Sequence, residues 1–104
     1  MIVVNTPNIP GQEIAETLGL VRGSTTRARF VGRDIIASFR MIIGGEIDEY
    51  TRLLAESREQ ALQRMIQDAA SLGADAVVNV RFTTSSIARN AAEILAYGTA
   101  VSLR

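Results

Sequence analysis

The sequence lacks four residue types on which much protein chemistry depends. Among its 104 residues there is no Cys, His, Trp or Lys, and all eleven basic residues are Arg. The absence of Cys excludes disulfides, thiolate zinc sites, iron–sulfur clusters and thiol nucleophiles. The absence of His removes the commonest acid–base residue, and the absence of Lys excludes a P-loop and a Schiff base to pyridoxal phosphate. Because only carboxylates, hydroxyls, Tyr and Arg remain for catalysis, we do not expect an enzyme.

Neither the charge nor the apolar stretches indicate a nucleic-acid or membrane partner. Eleven acidic residues balance the eleven Arg, so the net charge gives no general attraction to DNA or anionic lipid. The longest apolar stretch, residues 94–101, is far shorter than the roughly 20 residues that span a bilayer. The first five residues lack the basic leader and apolar core of a secretion signal. We therefore expect a cytoplasmic protein with neither partner.

The chain has more apolar residues than so small a protein can bury alone. Hydrophobic residues make up 47% of it, and its mean hydropathy is +0.16. We expect residues 1–104 to form a single domain, and folding at this size hides only about two-thirds of the unfolded surface. The excess of apolar residues therefore predicts a homo-oligomer in which other subunits cover what one chain leaves exposed.

Residues 46–72 carry the clearest helical pattern. Apolar residues recur there at spacings of three, four and seven: Ile47, Tyr50, Leu54, Ala61, Met65, Ala69 and Leu72. Acidic residues in the first turn suit the positive end of the helix dipole, and Gly73 stands where a left-handed cap is expected. Arg64 and Asp68 are spaced as an i, i+4 ion pair. The segment is predicted to be one long helix.

Two alternating segments follow and are predicted to form a hairpin. In residues 75–84 one face is expected to hold Ala76, Val78, Val80 and Phe82. In residues 92–103 one face is expected to hold Leu95, Tyr97, Thr99, Val101 and Leu103. The other face of that strand has side chains small enough for a second layer to lie flat on it: Ile94, Ala96, Gly98, Ala100 and Ser102.

The first half of the chain gives shorter patterns. We predict a strand at residues 2–4, one or two helical turns at 12–18, a strand at 19–24, and a helix at 30–43 that Gly44-Gly45 ends. This order indicates an α+β fold of two layers, an antiparallel sheet packed on a long helix. Since neither face of the last strand is polar, the side away from the helix is expected to meet another subunit.

Short motifs along the whole chain resemble one known family. They are Ile9-Pro10-Gly11, Leu18-Gly19-Leu20-Val21-Arg22-Gly23, Gly44-Gly45-Glu46, Tyr50, Arg58, Ala61-Leu62, Leu72-Gly73-Ala74-Asp75-Ala76-Val77-Val78 and Glu93-Ile94-Leu95-Ala96-Tyr97-Gly98-Thr99-Ala100-Val101. On these motifs the chain is similar to the YbjQ-like family of small bacterial and archaeal proteins, which is uncharacterised and carries a heavy-metal-binding label.

The resemblance implies a dodecin-like subunit that assembles into a ring, typically a pentamer. It implies no particular cofactor. Dodecins stack flavin on a Trp, which this chain lacks. The metal label also conflicts with the composition, because soft heavy metals prefer thiolate or imidazole ligands. A metal bound here would be a hard divalent ion held by carboxylates, and Glu46 and Glu93 are the candidate ligands.

Three positions are candidate sites, and each has a structural alternative. Gly44-Gly45-Glu46 could hold a ligand at a helix start, or it could be a break between packed helices. Glu93 could pair with Arg58 or Arg81, either within one chain or across a subunit boundary. Alternatively, it could line a channel that binds a cation. Tyr97 could line a pocket or pack on the next subunit.

The sequence thus favours a ring-forming protein that binds a small ligand or ion at subunit interfaces, with Arg58, Glu93 and Tyr97 as the candidate ligand-binding residues. The alternative is a scaffold or protein-interaction module without a small-molecule ligand. An enzyme using a carboxylate with Arg and Tyr is the third hypothesis, and no motif identifies its nucleophile.

Overall fold

A computed structural model describes residues 1–28, 45–88 and 91–104. Its elements are β1 (Ile2–Val3), β2 (Ile14–Ala28), α1 (Gly45–Ser71), β3 (Ala76–Ala88) and β4 (Ala91–Leu103). The four strands form one sheet in the order β1-β3-β4-β2. β1 runs parallel to β3, while β3 and β2 both pair antiparallel with β4. The predicted α+β fold is confirmed, with a mixed sheet because of the short β1.

The long helix is confirmed almost to the residue. Its buried side is a stripe spaced by four, made of Ser57, Ala61, Met65 and Ala69. Gly73 takes the left-handed conformation with a φ of 75°, and its N–H donates to the carbonyl of Ala70. The helix therefore ends where the glycine was expected to end it.

Helix α1 lies directly on the backbone of β2. A Cβ atom at Gly23 would collide with the backbone of Ala61 and Met65. Only glycine leaves the helix room to approach this closely. The core above the sheet is built of small and medium side chains for the same reason: Val21, Ala61, Met65, Ala69, Val77, Val80, Ile94, Ala96 and Ala100.

The helical turns predicted for residues 12–18 are wrong, because β2 begins at Ile14. Ile14 pairs with Leu103 and Thr17 with Val101, so the segment extends the sheet along the end of β4. Residues four apart share a face in a strand as well as in a helix, and the spacing of apolar residues could not separate the two. Two register shifts and a φ of 137° at Gly19 further disturb the strand pattern.

The face predicted for β3 is correct only up to Val78. Asn79 has a φ of 55°, and the register with β4 shifts between Val78 and Arg81. This bulge adds a residue to the strand and reverses the alternation beyond it. Val80 consequently joins the core beneath α1, whereas Ala76 and Val78 lie on the opposite face.

On β4 both predicted faces are confirmed. Ile94, Ala96 and Ala100 are buried against the helix side, and Gly98 leaves room for the side chains of Val77 and Val80. On the other side a small cluster of Ala76, Val78 and Val101 is covered by apolar residues of the N-terminal segment and the sheet end, among them Val4, Ile9, Ile14 and Leu103. That cover reaches only one end of the sheet.

The helix predicted at residues 30–43 and the residue Gly44 lie outside the described residues. Within residues 1–28, 45–88 and 91–104, no helix has the length and hydropathy that a bilayer span requires.

Candidate functional site

β4 places Glu93, Leu95, Tyr97 and Thr99 on the face of the sheet turned away from α1. These residues alternate with the buried residues beneath the helix, and all four are half-buried. Among the described residues, no element packs on this part of the sheet beyond the N-terminal segment at one end. The strand therefore presents an aromatic ring and a carboxylate on a face that no other described element covers.

The strand register sets two arginines beside Tyr97. The Cα partner of Tyr97 on β2 is Arg22, and its partner on β3 is Arg81. Side chains directly opposite each other on neighbouring strands have Cβ atoms about 4.5–5.5 Å apart. Both arginines are exposed. Tyr97 thus lies between two cationic residues in the middle of this face.

Apolar and polar rows lie on either side of that tyrosine. Leu20, the cross-strand partner of Thr99, is 67% exposed. Glu93 lies in the opposite direction along β4, between Thr26 and Ser85. We call this surface the open face, and it comprises Leu20, Arg22, Arg81, Glu93, Leu95, Tyr97 and Thr99.

The chain brings together only two of its predicted ligand-binding residues. Glu93 and Tyr97 share the open face, four residues apart, which is about 13 Å along a strand. Arg58 is exposed on α1, so the sheet separates it from both within one subunit. Opposite Glu93 the strands supply the hydroxyls of Thr26 and Ser85, and Arg81 lies in the row of Tyr97 instead.

The two candidate metal ligands are also on different layers. Glu46 belongs to the first turn of α1, and Glu93 to the face of β4 that α1 does not cover. In the part of the chain that the structure describes, no group of three or more Asp, Glu, His or Cys residues could hold a metal ion. With the described residues alone, a carboxylate site of the expected kind would need more than one subunit.

Side chains of α1 reach the outer edge of β2. The backbone N–H of Arg22 donates to Asp68 Oδ2 at 3.1 Å, and Arg64 Nη1 donates to the carbonyl of Ser24 at 2.5 Å. These two helix residues were predicted from their spacing as a surface ion pair. Both instead bind the backbone of an edge strand, which needs such cover to avoid pairing with other chains.

A cleft of about 370 Å³ opens at the other edge of the sheet, and sequence reasoning missed it. Its lining comes from the N-terminal segment, α1 and β3: Val3, Val4, Asn5, Leu62, Val80, Arg81 and Phe82. We call it the edge cleft. Arg81 Nη1 donates there to the carbonyls of Asn5, at 2.8 Å, and Val80, at 2.9 Å. The contact joins residues 76 positions apart, so no local pattern could have indicated it.

The chain matches known families and relatives over its full length. A family model named YbjQ and described as "Putative heavy-metal-binding" matches residues 1–104. A UPF0145 protein of Halorubrum lacusprofundi is 62% identical over 104 residues, covering 100% of both chains. A UPF0145 protein of Archaeoglobus fulgidus is 58% identical, covering 100% of this chain and 96% of the relative.

Among solved structures, a protein of unknown function from Pediococcus pentosaceus, assigned to the DUF74 family, has a TM-score of 0.66 to this chain. The match covers 100% of this chain and 98% of that one at 15% sequence identity, so it supports the fold alone.

The donor set of this chain does not fit the heavy-metal description. Soft metals select thiolate and imidazole ligands, and the sequence contains neither Cys nor His. The open face offers one carboxylate, that of Glu93, flanked by hydroxyls. Such oxygen donors suit hard cations.

Proposed function

The chain belongs to the YbjQ family, and we propose that it is a homo-oligomeric binding protein whose subunits meet through the open face. The observation that carries the proposal is the exposure of this face. Leu20 is 67% exposed, Leu95 and Tyr97 on the same face are half-buried, and no element within the described residues packs on them. When one face of a sheet meets only water, the residues on that face are normally polar. The apolar residues of the open face therefore favour a contact with another subunit.

The number of subunits that we propose is five, arranged as a ring. This number comes from the resemblance to dodecin-like proteins noted in the sequence. A closed ring repeats each side chain of the open face once per subunit, and so creates sites that no single chain has.

The ligand is a small molecule or hard cation held where subunits meet. Glu93 and Tyr97 are the ligand-binding residues of one subunit, and Arg58 would have to come from a neighbour because the sheet separates it from them within one chain. Repeated Glu93 carboxylates would supply several oxygen donors to one cation. We assign no catalytic step to these residues.

The exposed leucine of the open face provides the test. Leu20→Arg introduces a charge at a position that is 67% exposed in one subunit, where surface substitutions usually change the free energy of unfolding by no more than about 0.5 kcal/mol. We expect light scattering to show an oligomer for the natural chain and a folded monomer for Leu20→Arg. Leu72→Arg is the matched control, since Leu72 is 46% exposed beyond the end of α1, and it should remain oligomeric.

An oligomer that survives Leu20→Arg unchanged would show that the subunits meet elsewhere. In the scaffold alternative, the subunits also form an oligomer, but the oligomer binds no ligand. This alternative would be favoured if the assembled protein carries no bound small molecule and retains no divalent cation after dialysis.

A further inference from the structure

The edge cleft lies at the outer edge of β3, where it shares Arg81 with the open face, and its other lining residues lie outside that face. β1 pairs with β3 only through Ile2 and Val3, so the edge of β3 beyond the bulge is not paired by β1. The cleft occupies that position, between the chain leaving β1 and the middle of α1. Its volume of about 370 Å³ falls within the range typical of small-molecule sites.

The walls of the cleft are apolar. Val80 is buried, Leu62 is half-buried and packed on the core, and Phe82 is 46% exposed. The predicted alternation placed Phe82 with Ala76 and Val78, but the bulge at Asn79 moves it to the helix side of the sheet. Ligand sites are concave and lined mainly by apolar and aromatic side chains, as this open cleft is.

Arg81 supplies the charge, and the backbone holds it in place. Its Nη1 is bound by the carbonyls of Asn5 and Val80, which fixes the guanidinium without neutralising it. Within residues 1–28, 45–88 and 91–104, its Nε and Nη2 make no hydrogen bond, and no acidic residue belongs to the cleft lining. Two guanidinium nitrogens on one edge match the two oxygens of a carboxylate.

The β3 backbone adds a donor beside the arginine. Val80 gives its N–H to Val4 at the outer edge of the sheet, at 3.1 Å. Because alternate residues of a strand turn their peptide groups to the same edge, the N–H of Phe82 also faces outward at the cleft. A carboxylate bound by Arg81 would thus have a neutral donor beside it.

We propose that the edge cleft binds a small carboxylic acid with an apolar body, such as a medium-chain fatty acid. The carboxylate pairs with Nε and Nη2 of Arg81, and the chain lies against Leu62, Val80 and Phe82. One arginine and one backbone N–H suit a singly charged planar group better than a phosphate, which carries more charge and more oxygens. This proposal goes beyond the function at the open face and does not depend on it.

Octanoate is the probe that tests the proposal. In an amide NMR titration of the full chain, we expect saturable shifts centred on Leu62, Val80 and Phe82. Octylammonium has the same chain with the opposite charge, and it should give no saturable shift at these residues. Arg81→Gln should raise the Kd for octanoate at least about tenfold, because it removes a charged hydrogen-bonding partner. Arg104→Gln removes an exposed arginine that lies outside both the cleft and the open face, and it should leave the Kd unchanged.

A second variant separates the loss of the site from a loss of local structure. Arg81→Gln also removes the hydrogen bond to Asn5, so the amide signals of residues 4–6 report whether the N-terminal segment stays in place. Phe82→Ala leaves the arginine and its anchors intact and should weaken octanoate binding several-fold. Leu20→Arg should leave octanoate binding unchanged, so the failure of one proposal does not imply the failure of the other.

Three outcomes would overturn the proposal. Equal binding of octanoate and octylammonium would show that the arginine has no part in it. Absence of saturable octanoate binding to the natural chain would show that the cleft is not a carboxylate site. Shifts of the cleft amides with protein concentration alone would identify the cleft as a contact between subunits instead.

Discussion

The carboxylate of Asp68 on α1 accepts a hydrogen bond from the backbone N–H of Arg22 on β2, at 3.1 Å. A helix thereby supplies a partner to the edge of the sheet on which it packs. One turn earlier, Arg64 does the same for the carbonyl of Ser24. The two side chains are of opposite charge, and they bind backbone groups of opposite polarity. Together they fix the position of the helix along the strand.

Removing the carboxylate should weaken this connection. We expect Asp68→Ala to lower the free energy of unfolding by about 1 kcal/mol, the usual net value of one hydrogen bond. Asp68→Asn retains an acceptor oxygen and should lose less. Hydrogen exchange gives the sharper measurement, because the amide of Arg22 should exchange faster in Asp68→Ala than in Asp68→Asn. Equal exchange rates in both variants would mean that the contact does not protect the edge.

Gly23 should tolerate no side chain. A Cβ atom there meets the backbone of Ala61 and Met65, which cannot move without displacing the helix. We expect Gly23→Ala to destabilise the fold by about 2–3 kcal/mol, the upper range for overpacking a core. Thr26→Ala, at an exposed position of the same strand, is the control and should change the free energy of unfolding by less than about 0.5 kcal/mol. A Gly23→Ala protein as stable as this control would contradict the close packing of α1 on β2.

Thr25 offers a stabilising substitution. It is 4% exposed, and within the described residues its Oγ1 has no hydrogen-bond partner. Valine has nearly the same shape without the hydroxyl, so Thr25→Val should raise the free energy of unfolding by about 1 kcal/mol. Thr25→Ser keeps the hydroxyl and loses the methyl group, and should be less stable than the natural protein. If urea denaturation ranked serine above valine, the hydroxyl would have a partner after all.

Glu93 should affect cation binding and leave the assembly intact. We expect Mn²⁺, as a probe for hard cations, to bind the natural oligomer and to be lost from Glu93→Gln, because the amide keeps the size of the side chain and removes its charge. Electron paramagnetic resonance measures the free Mn²⁺. Glu13→Gln is the control, since Glu13 pairs with Arg104 at 3.8 Å and lies outside the open face. Dissociation of the Glu93→Gln oligomer would make Glu93 a structural residue instead.

The long helix and the last strand could be predicted from the sequence because local patterns determine them. The spacing of Ala61, Met65 and Ala69 indicates a helix without reference to any other element. The alternation of small and large side chains along β4 likewise identifies the face that the helix covers.

The errors arose where long-range pairing decides the structure. Residues 12–18 form a strand because they pair with the end of β4, some 85 positions later in the chain. The bulge at Asn79 reverses the faces of β3. Asparagine adopts a positive φ more readily than most residues, but the regular alternation around Asn79 gives no local sign that a bulge interrupts the strand.

The candidate site also combines features that follow from local pattern with features that depend on long-range contacts. Glu93 and Tyr97 share a face by simple alternation, and the sequence alone is sufficient to place both on that face. Arg22 beside Tyr97, and Arg81 anchored on Asn5, depend on strand register and on a contact between distant segments. These two arginines change the character of the surface from a carboxylate site to a mixed one, which composition alone does not indicate.

Native mass spectrometry of the untagged protein from its own host tests whether the subunits assemble through the open face. We expect an assembly of several 11.2 kDa subunits, five by the resemblance, that converts to a monomer in Leu20→Arg. A bound mass that remains in gentle conditions would identify the ligand at the subunit interface. A monomer at every protein concentration tested would contradict the account, because the open face would then be a free surface in solution.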